Sequence, residues 1–448
     1  MSQRFRWTLW LGLCVLAGCG GGGSSGSSLG DPGTSSSSSS SSGSSSSSSG
    51  ATASNSVAVA VGPGPAAAGG GTFNIPYVSI TVCRPGTTSC ATIDNVLVDT
   101  GSSGLRLMAS ALAAANLTLT NTADPSVSGN TIAECLPFAD GYTWGPVALA
   151  DVKIAGELAS SVTINILDDN GSYAATAPSS CTTVLSQGGT TSLDSVSAFA
   201  ANGVLGVGTF DEDCGSSCAE CASLTPDGCN TAMTDLYYSC NTSTNSCAFT
   251  AVAQTAQVRN PVALFATDNN GVILTLESIP TAGQTTASGT LIFGIDTQSN
   301  NALGSAFVLV ADDMGNFTTN YKGQVLSSSF IDSGSNGLYF PDSSIAVCPN
   351  TQSNPSASEF YCPASTLSET ATMQGQDGLT NPVPFNVVNL NSISDNFYAS
   401  DALAGPAPTN SSLGSYFDWG LPFFYGKRVF TAIEGKTAGT AIGPFYAF

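Results

Sequence analysis

One thirteen-residue pattern occurs twice in this chain. Asn95-Val96-Leu97-Val98-Asp99-Thr100-Gly101-Ser102-Ser103-Gly104-Leu105-Arg106-Leu107 returns as Ser328-Ser329-Phe330-Ile331-Asp332-Ser333-Gly334-Ser335-Asn336-Gly337-Leu338-Tyr339-Phe340. Asp, Gly, Ser, Gly and Leu match in place, and Ser333 answers Thr100. A lone Asp-Thr/Ser-Gly is a common turn in a chain rich in Ser, Thr and Gly. Two copies with the same flanks are a stronger signal. Their separation of 233 residues is far too long for a solenoid repeat. It predicts two similar lobes, each contributing one copy.

The texture around the copies is all-β. Short runs such as Tyr77–Val82, Val162–Ile166 and Thr290–Gly294 are rich in Val, Ile, Thr and Phe and are broken by Gly, Pro, Asn and Asp. Only Met108–Ala115 and Ala232–Tyr238 read as short helices. The apolar residues before each Asp read as buried strands that deliver the carboxyl to a loop. Gly101 and Gly334 let the two loops approach closely. Thr100 and Ser333 carry hydroxyls able to bond across to the opposite loop, and Ser102 and Ser335 can each donate to their own carboxylate. Two carboxylates in contact cannot both ionise, so they share a proton. One is then a base for a water while the other is an acid for a carbonyl. The 448 residues include no histidine, which excludes Ser-His-Asp triads, Cys-His dyads and His-bearing zinc sites. Acid–base chemistry therefore falls to groups such as these carboxyls.

These motifs resemble those of the pepsin-like, two-lobed aspartic peptidases, from about residue 72 to the C-terminus. Among them, the chain most resembles a bacterial group of exported proteins with such motifs. The resemblance implies an all-β fold of two lobes around a central cleft, with Asp99 and Asp332 catalytic and Thr100, Gly101, Ser102, Ser333, Gly334 and Ser335 in support. Gly203–Gly208 is similar to the segment that crosses behind the first Asp loop, and Trp419–Phe424 is its expected partner behind the second. Gly289–Asp296 resembles a strand early in the second lobe, and Asn260–Phe265 the passage between lobes. Phe138–Gly145 is similar to the flap hairpin, making Phe138, Gly141 and Tyr142 the flap residues. Phe138 stands where the family usually has Tyr, and Arg106 where an aromatic residue is common. The first departure removes a hydroxyl that helps hold the flap, a place Tyr142 could take.

The N-terminus predicts export. Arg4 and Arg6 precede an apolar stretch, Leu9–Ala17, that is too short to span a bilayer. Residues 1–18 read as a signal peptide. Leu16-Ala17-Gly18-Cys19 resembles a bacterial lipobox, so Cys19 is the expected lipidation site, and Gly20 after it favours the outer membrane. An ordinary cleaved signal is the alternative. Residues 19–56, almost all Ser and Gly, predict a flexible tether with an r.m.s. span of roughly 30–35 Å. The first lobe is expected over 57–258, with a cysteine-rich insertion at about 211–247, and the second over 259–448. Twelve cysteines remain beyond Cys14 and Cys19, which suggests up to six disulfides in an oxidising envelope. Cys83–Cys90, Cys240–Cys247 and Cys348–Cys362 close short loops, and Cys135–Cys181 is a further pairing. A four-thiolate zinc site at Cys214, Cys218, Cys221 and Cys229 is the alternative for that cluster.

Charge narrows the partners. Ten basic residues against 31 acidic give −21, which opposes nucleic-acid binding. Lys427-Arg428 reads as a solvated strand end, and Asp211-Glu212-Asp213 as a solvated loop, with Ca²⁺ binding as its alternative. The expected protein is a monomeric aspartic endopeptidase of the bacterial envelope. Its partner would be a polypeptide substrate or peptide ligand, it would touch the membrane only through the lipid, and it needs no cofactor or metal. The competing reading is a non-catalytic binding protein of the same fold.

Overall fold

A computed structural model describes residues 55–448 apart from 71, 139–140, 184–190, 221–235, 352–353, 355 and 408–414. The expected signal peptide, Cys19, nearly all of the tether, Cys221 and Cys229 lie outside the described residues. The fold is all-β, and two sheets dominate it among the described residues. The larger runs from the cysteine-rich hairpin (Tyr237–Asn241 and Ser246–Phe249) through the first lobe. It continues into Gly271–Leu276, Arg428–Ala432 and Phe445–Ala447 near the C-terminus. Ser56–Val61 joins the two halves: it pairs antiparallel with Ala287–Phe293 on one side and with Pro76–Cys83 on the other. The smaller sheet belongs to the second half and includes Phe317–Tyr321, Gln324–Ile331, Leu367–Gln374 and Thr380–Val387.

Each copy of the repeated pattern makes the same knot of strands. Cys90–Asp99 delivers the first Asp and Ser103–Met108 leads away from it. Gly203–Val207 threads between them, parallel to the first and antiparallel to the second. In the other half Gln324–Ile331 delivers, Leu338–Phe340 leaves, and Asp418–Trp419 threads between in the same two senses. The registers correspond: Leu97 faces Val204 as Phe330 faces Asp418, and Val98 faces Leu205 as Ile331 faces Trp419. Burial enforces this. Val96, Leu97 and Val98 are fully buried, as is Ile331, so each Asp arrives at the end of an apolar strand and cannot reach water by fraying. Behind Asp332 the core is aromatic, with Phe417 stacked on Trp419 at 4.0 Å and Phe340 stacked on Phe417 at 4.7 Å.

All four expected disulfides form, and Cys214–Cys218 is a fifth. A bonded Cys214–Cys218 pair removes two of the four thiolates on which the zinc reading rested. Three other expectations change. Tyr237 and Tyr238, read as the end of a helix, lie in a strand that pairs with Thr131–Phe138; residues 232–235 are outside the described set. Asp211-Glu212-Asp213 is not a solvated loop. Asp211 pairs with Arg259, and the Asp213 side chain is buried on Arg106. Lys427 is half-buried: its ammonium donates to the Phe423 carbonyl at 2.7 Å and lies over that ring, while Arg428 is exposed as expected. The helix read at Met108–Ala115 forms over Ala109–Ala114.

Candidate active site

The two Asp loops meet face to face. The Thr100 N–H donates to Ser333 Oγ at 3.0 Å, and the Ser333 N–H donates to Thr100 Oγ1 at 2.9 Å. Each hydroxyl passes its own proton further across: Thr100 to the Ile331 carbonyl at 3.2 Å, Ser333 to the Val98 carbonyl at 2.8 Å. Four hydrogen bonds between buried groups thus lock one loop to the other in a near-symmetric grip. The same symmetry governs the carboxyls. Asp99 Oδ1 accepts the Gly101 N–H at 2.8 Å, and Asp332 Oδ1 accepts the Gly334 N–H at 2.7 Å. Ser102 donates to Asp99 Oδ2, and Ser335 to Asp332 Oδ2 at 2.9 Å.

The glycines are required by proximity. A methyl group on Gly101 would stand 2.5 Å from the Asp332 carboxyl carbon, and one on Gly334 would stand 2.7 Å from Asp99 Oδ1. Only a residue without Cβ lets the loops close until Asp99 and Asp332 hydrogen-bond to each other. Both carboxyls are fully buried. Burial, then the charge of Asp332 and their shared hydrogen bond, push the Asp99 carboxyl well above the usual carboxylate range. Burial also raises Asp332, but its hydrogen bonds from Asp99, Ser335 and Gly334 work against that rise. Both carboxyls are thus held above the usual range, and the pair keeps one proton between them.

The flap residues occupy a hairpin of Thr131–Phe138 and Gly141–Ile154 whose turn, 139–140, is outside the described residues. Phe138 is buried. Its ring packs edge-on against Phe199 at 5.5 Å, in an apolar cluster with Leu97, Met108, Leu193 and Val204. Gly141 runs against the Thr191 carbonyl, which a methyl group there would meet at 2.0 Å. Tyr142 exchanges backbone hydrogen bonds with Thr191 and Leu193, and its half-buried phenol bonds to Ser192.

Three further features escaped the sequence reading. Arg106 is wholly buried and donates to Glu134 Oε1 at 2.7 Å and Oε2 at 3.2 Å, to Asp213 Oδ2 at 2.8 Å, and to the Ser103 carbonyl at 2.8 Å. It therefore ties the strand leaving the Asp99 loop to the flap strand and to the edge of the cysteine-rich insertion. Asn74, in left-handed backbone at φ 56°, bonds to Asn336, Ser400 and Tyr425 and so anchors the Asp332 loop to the opposite end of the chain. The third is Asp418, a buried carboxyl beside Ser335. Little around Arg106 or Asn74 in sequence marks these roles, because, Ser103 apart, their partners lie 28 to 351 residues away. The one legible hint was that Arg106 stands at an aromatic position of the resembled family.

Fold and site together define a two-lobed β protein with one paired-aspartate centre built from a duplicated loop. The chain belongs to a family described as "Protein of unknown function (DUF3443)", whose model matches residues 51–448. No curated protein matches it. Among solved structures it is similar to an aspartic proteinase from Irpex lacteus, at 14% identity over 88% of this chain and 96% of that one, with a TM-score of 0.44.

Proposed function

We propose that this protein is an aspartic endopeptidase that hydrolyses peptide bonds with Asp99, Asp332 and a water held between them. The observation that carries the reading is the buried, mutually hydrogen-bonded carboxyl pair held by reciprocal Thr100–Ser333 bonds. Ionised Asp332 takes a proton from the water as its oxygen attacks the scissile carbonyl carbon. Asp99 gives its proton to the carbonyl oxygen, forming a neutral tetrahedral diol. In the second half Asp332 returns its proton to the departing nitrogen. Asp99 takes one back from a diol hydroxyl, and the C–N bond breaks. No cofactor is required by this cycle. The substrate is an extended polypeptide laid along the edge of the flap hairpin by strand-like pairing.

We also propose that the enzyme is exported and held at the bacterial outer membrane by lipid on Cys19, with the Ser/Gly tether giving it reach. The support here is the lipobox-like sequence alone.

The test is cleavage of an unfolded protein by the disulfide-bonded chain at roughly pH 3–5. Asp99→Asn and Asp332→Asn should each abolish it, because an amide can neither take the proton nor share it. Wild-type inactivity across the acidic range would refute the reading. The replacement would be a peptide-binding protein of the same fold, which the buried, hydroxyl-free Phe138 favours.

A further inference from the structure

Ser335 stands between two carboxyls. Its Oγ is 2.9 Å from Asp332 Oδ2 and 2.6 Å from Asp418 Oδ2. A serine hydroxyl has one hydrogen, and an ionised carboxylate has none to give. Two ionised carboxylates would leave one of these short contacts with no proton in it. One of the two acids must therefore carry a hydrogen and donate it to Ser335. The surroundings decide which. Asp332 Oδ1 accepts the Gly334 N–H at 2.7 Å, whereas Asp418 Oδ1 is buried and makes no hydrogen bond among the described residues. A full negative charge is far more costly beside an unpartnered oxygen than beside a donor. The ionised group is Asp332, and the hydrogen belongs to Asp418.

We propose that Asp418 is a third carboxyl of this centre, a protonated positioning residue that donates through Ser335 to Asp332 and fixes Asp332 as the ionised member of the pair. Its effect on catalysis rests on the peptidase reading; its protonation does not. The internal symmetry of the fold isolates the feature. Val204 holds the register of Asp418 in the first lobe, and there Ser102 serves Asp99 with no hydrogen bond to a second acid among the described residues. The duplicated site is thus made unequal at one position, on the side of the proposed base.

The groups facing Asp418 agree. Its partners on the flanking strands are Phe330 and Tyr339, and the Tyr339 hydroxyl is engaged with Asn336 Oδ1 at 2.5 Å. The charges that act on it are those of Asp332 and Asp99, and the nearby phenols of Tyr416 and Tyr446 are raised chiefly by burial, so they stay neutral. Burial first, then Asp332, hold its carboxyl well above the usual range, with Ser335 opposing.

Two variants separate the role from simple packing. Asp418→Asn keeps a neutral donor toward Ser335. Asp418→Leu removes the donor but supplies the apolar side chain that the equivalent Val204 position already accommodates. In the pH–rate profile for cleavage of an unfolded protein, the acid limb reports protonation of Asp332. The Leu variant should move that limb upward by about one pH unit, and the Asn variant should leave it near wild type. Infrared difference spectra at neutral pH should show a protonated-carboxyl band in wild type that Asp418→Asn removes. Absence of that band overturns the proposal, and so does a Leu variant whose acid limb coincides with wild type. A wild type that cleaves nothing defeats the peptidase reading, and the infrared comparison then decides alone whether Asp418 holds the proton.

Discussion

Replacing Arg106 with Met should destabilise the protein by about 4 kcal/mol, the middle of the range for breaking a buried ion pair from one side. The structure sets that figure. The guanidinium makes three hydrogen bonds to carboxylate oxygens of Glu134 and Asp213 and one to the Ser103 carbonyl. Arg106 and Glu134 are completely inaccessible to solvent, and the Asp213 side chain is 3% exposed. Charge-assisted bonds of this kind are worth about 1.5–3 kcal/mol each but do not add, since they share one cation, and burial and Glu134 already push the Asp213 carboxyl well above the usual range. Methionine fills most of the volume, so a cavity contributes little and the loss is electrostatic. Two consequences distinguish this from a packing defect. The deficit, measured by urea unfolding, should be larger at pH 8 than at pH 4, because in acid a stranded carboxyl takes up a proton instead of remaining charged. The double variant Arg106→Met/Glu134→Met should be more stable at pH 8 than Arg106→Met alone, because one orphaned charge is gone. A cost below about 1 kcal/mol, or one equal at both pH values, would show that the buried triad does not hold the flap strand in this way.

Asp194 supports the same hairpin from another side, accepting the Trp144 N–H at 2.9 Å and the Ser192 hydroxyl at 2.9 Å. Burial pushes its carboxyl up to about 7, so the folded state binds its proton more tightly than the unfolded chain does. Stability should therefore fall as pH rises from about 4 to 7, by at most about 4 kcal/mol and less given its partial exposure. Asp194→Asn should remove that part of the slope in pH-dependent unfolding; an unchanged slope would disprove it. Gly101→Ala should abolish cleavage while the far-ultraviolet spectrum stays β-type, since the added methyl group must displace the Asp332 carboxyl. Full activity in that variant would mean that the loops are not in contact.

The repeated thirteen residues carried most of what could be read in advance. Strand periodicity, the glycines and the flanking hydroxyls are local chemistry, so the all-β class and the paired loops followed directly. The meeting of Asp99 with Asp332 followed from duplication. The short disulfides were legible for a similar reason, since a separation of seven positions leaves the chain few other closures. The role of Asp418 was not. It lies 86 residues beyond Asp332, just before a Trp-Gly segment read only as a crossing strand, and the parallel register with Phe330 brings it behind Ser335. Arg106 and Asp213 looked like an odd substitution and a solvated loop until folding brought side chains 107 positions apart into contact. Apolar patterning reports whether a side chain is buried on its own strand. It carries no record of which distant charge will be buried with it, and that pairing is fixed only when the strands take their register in the sheet.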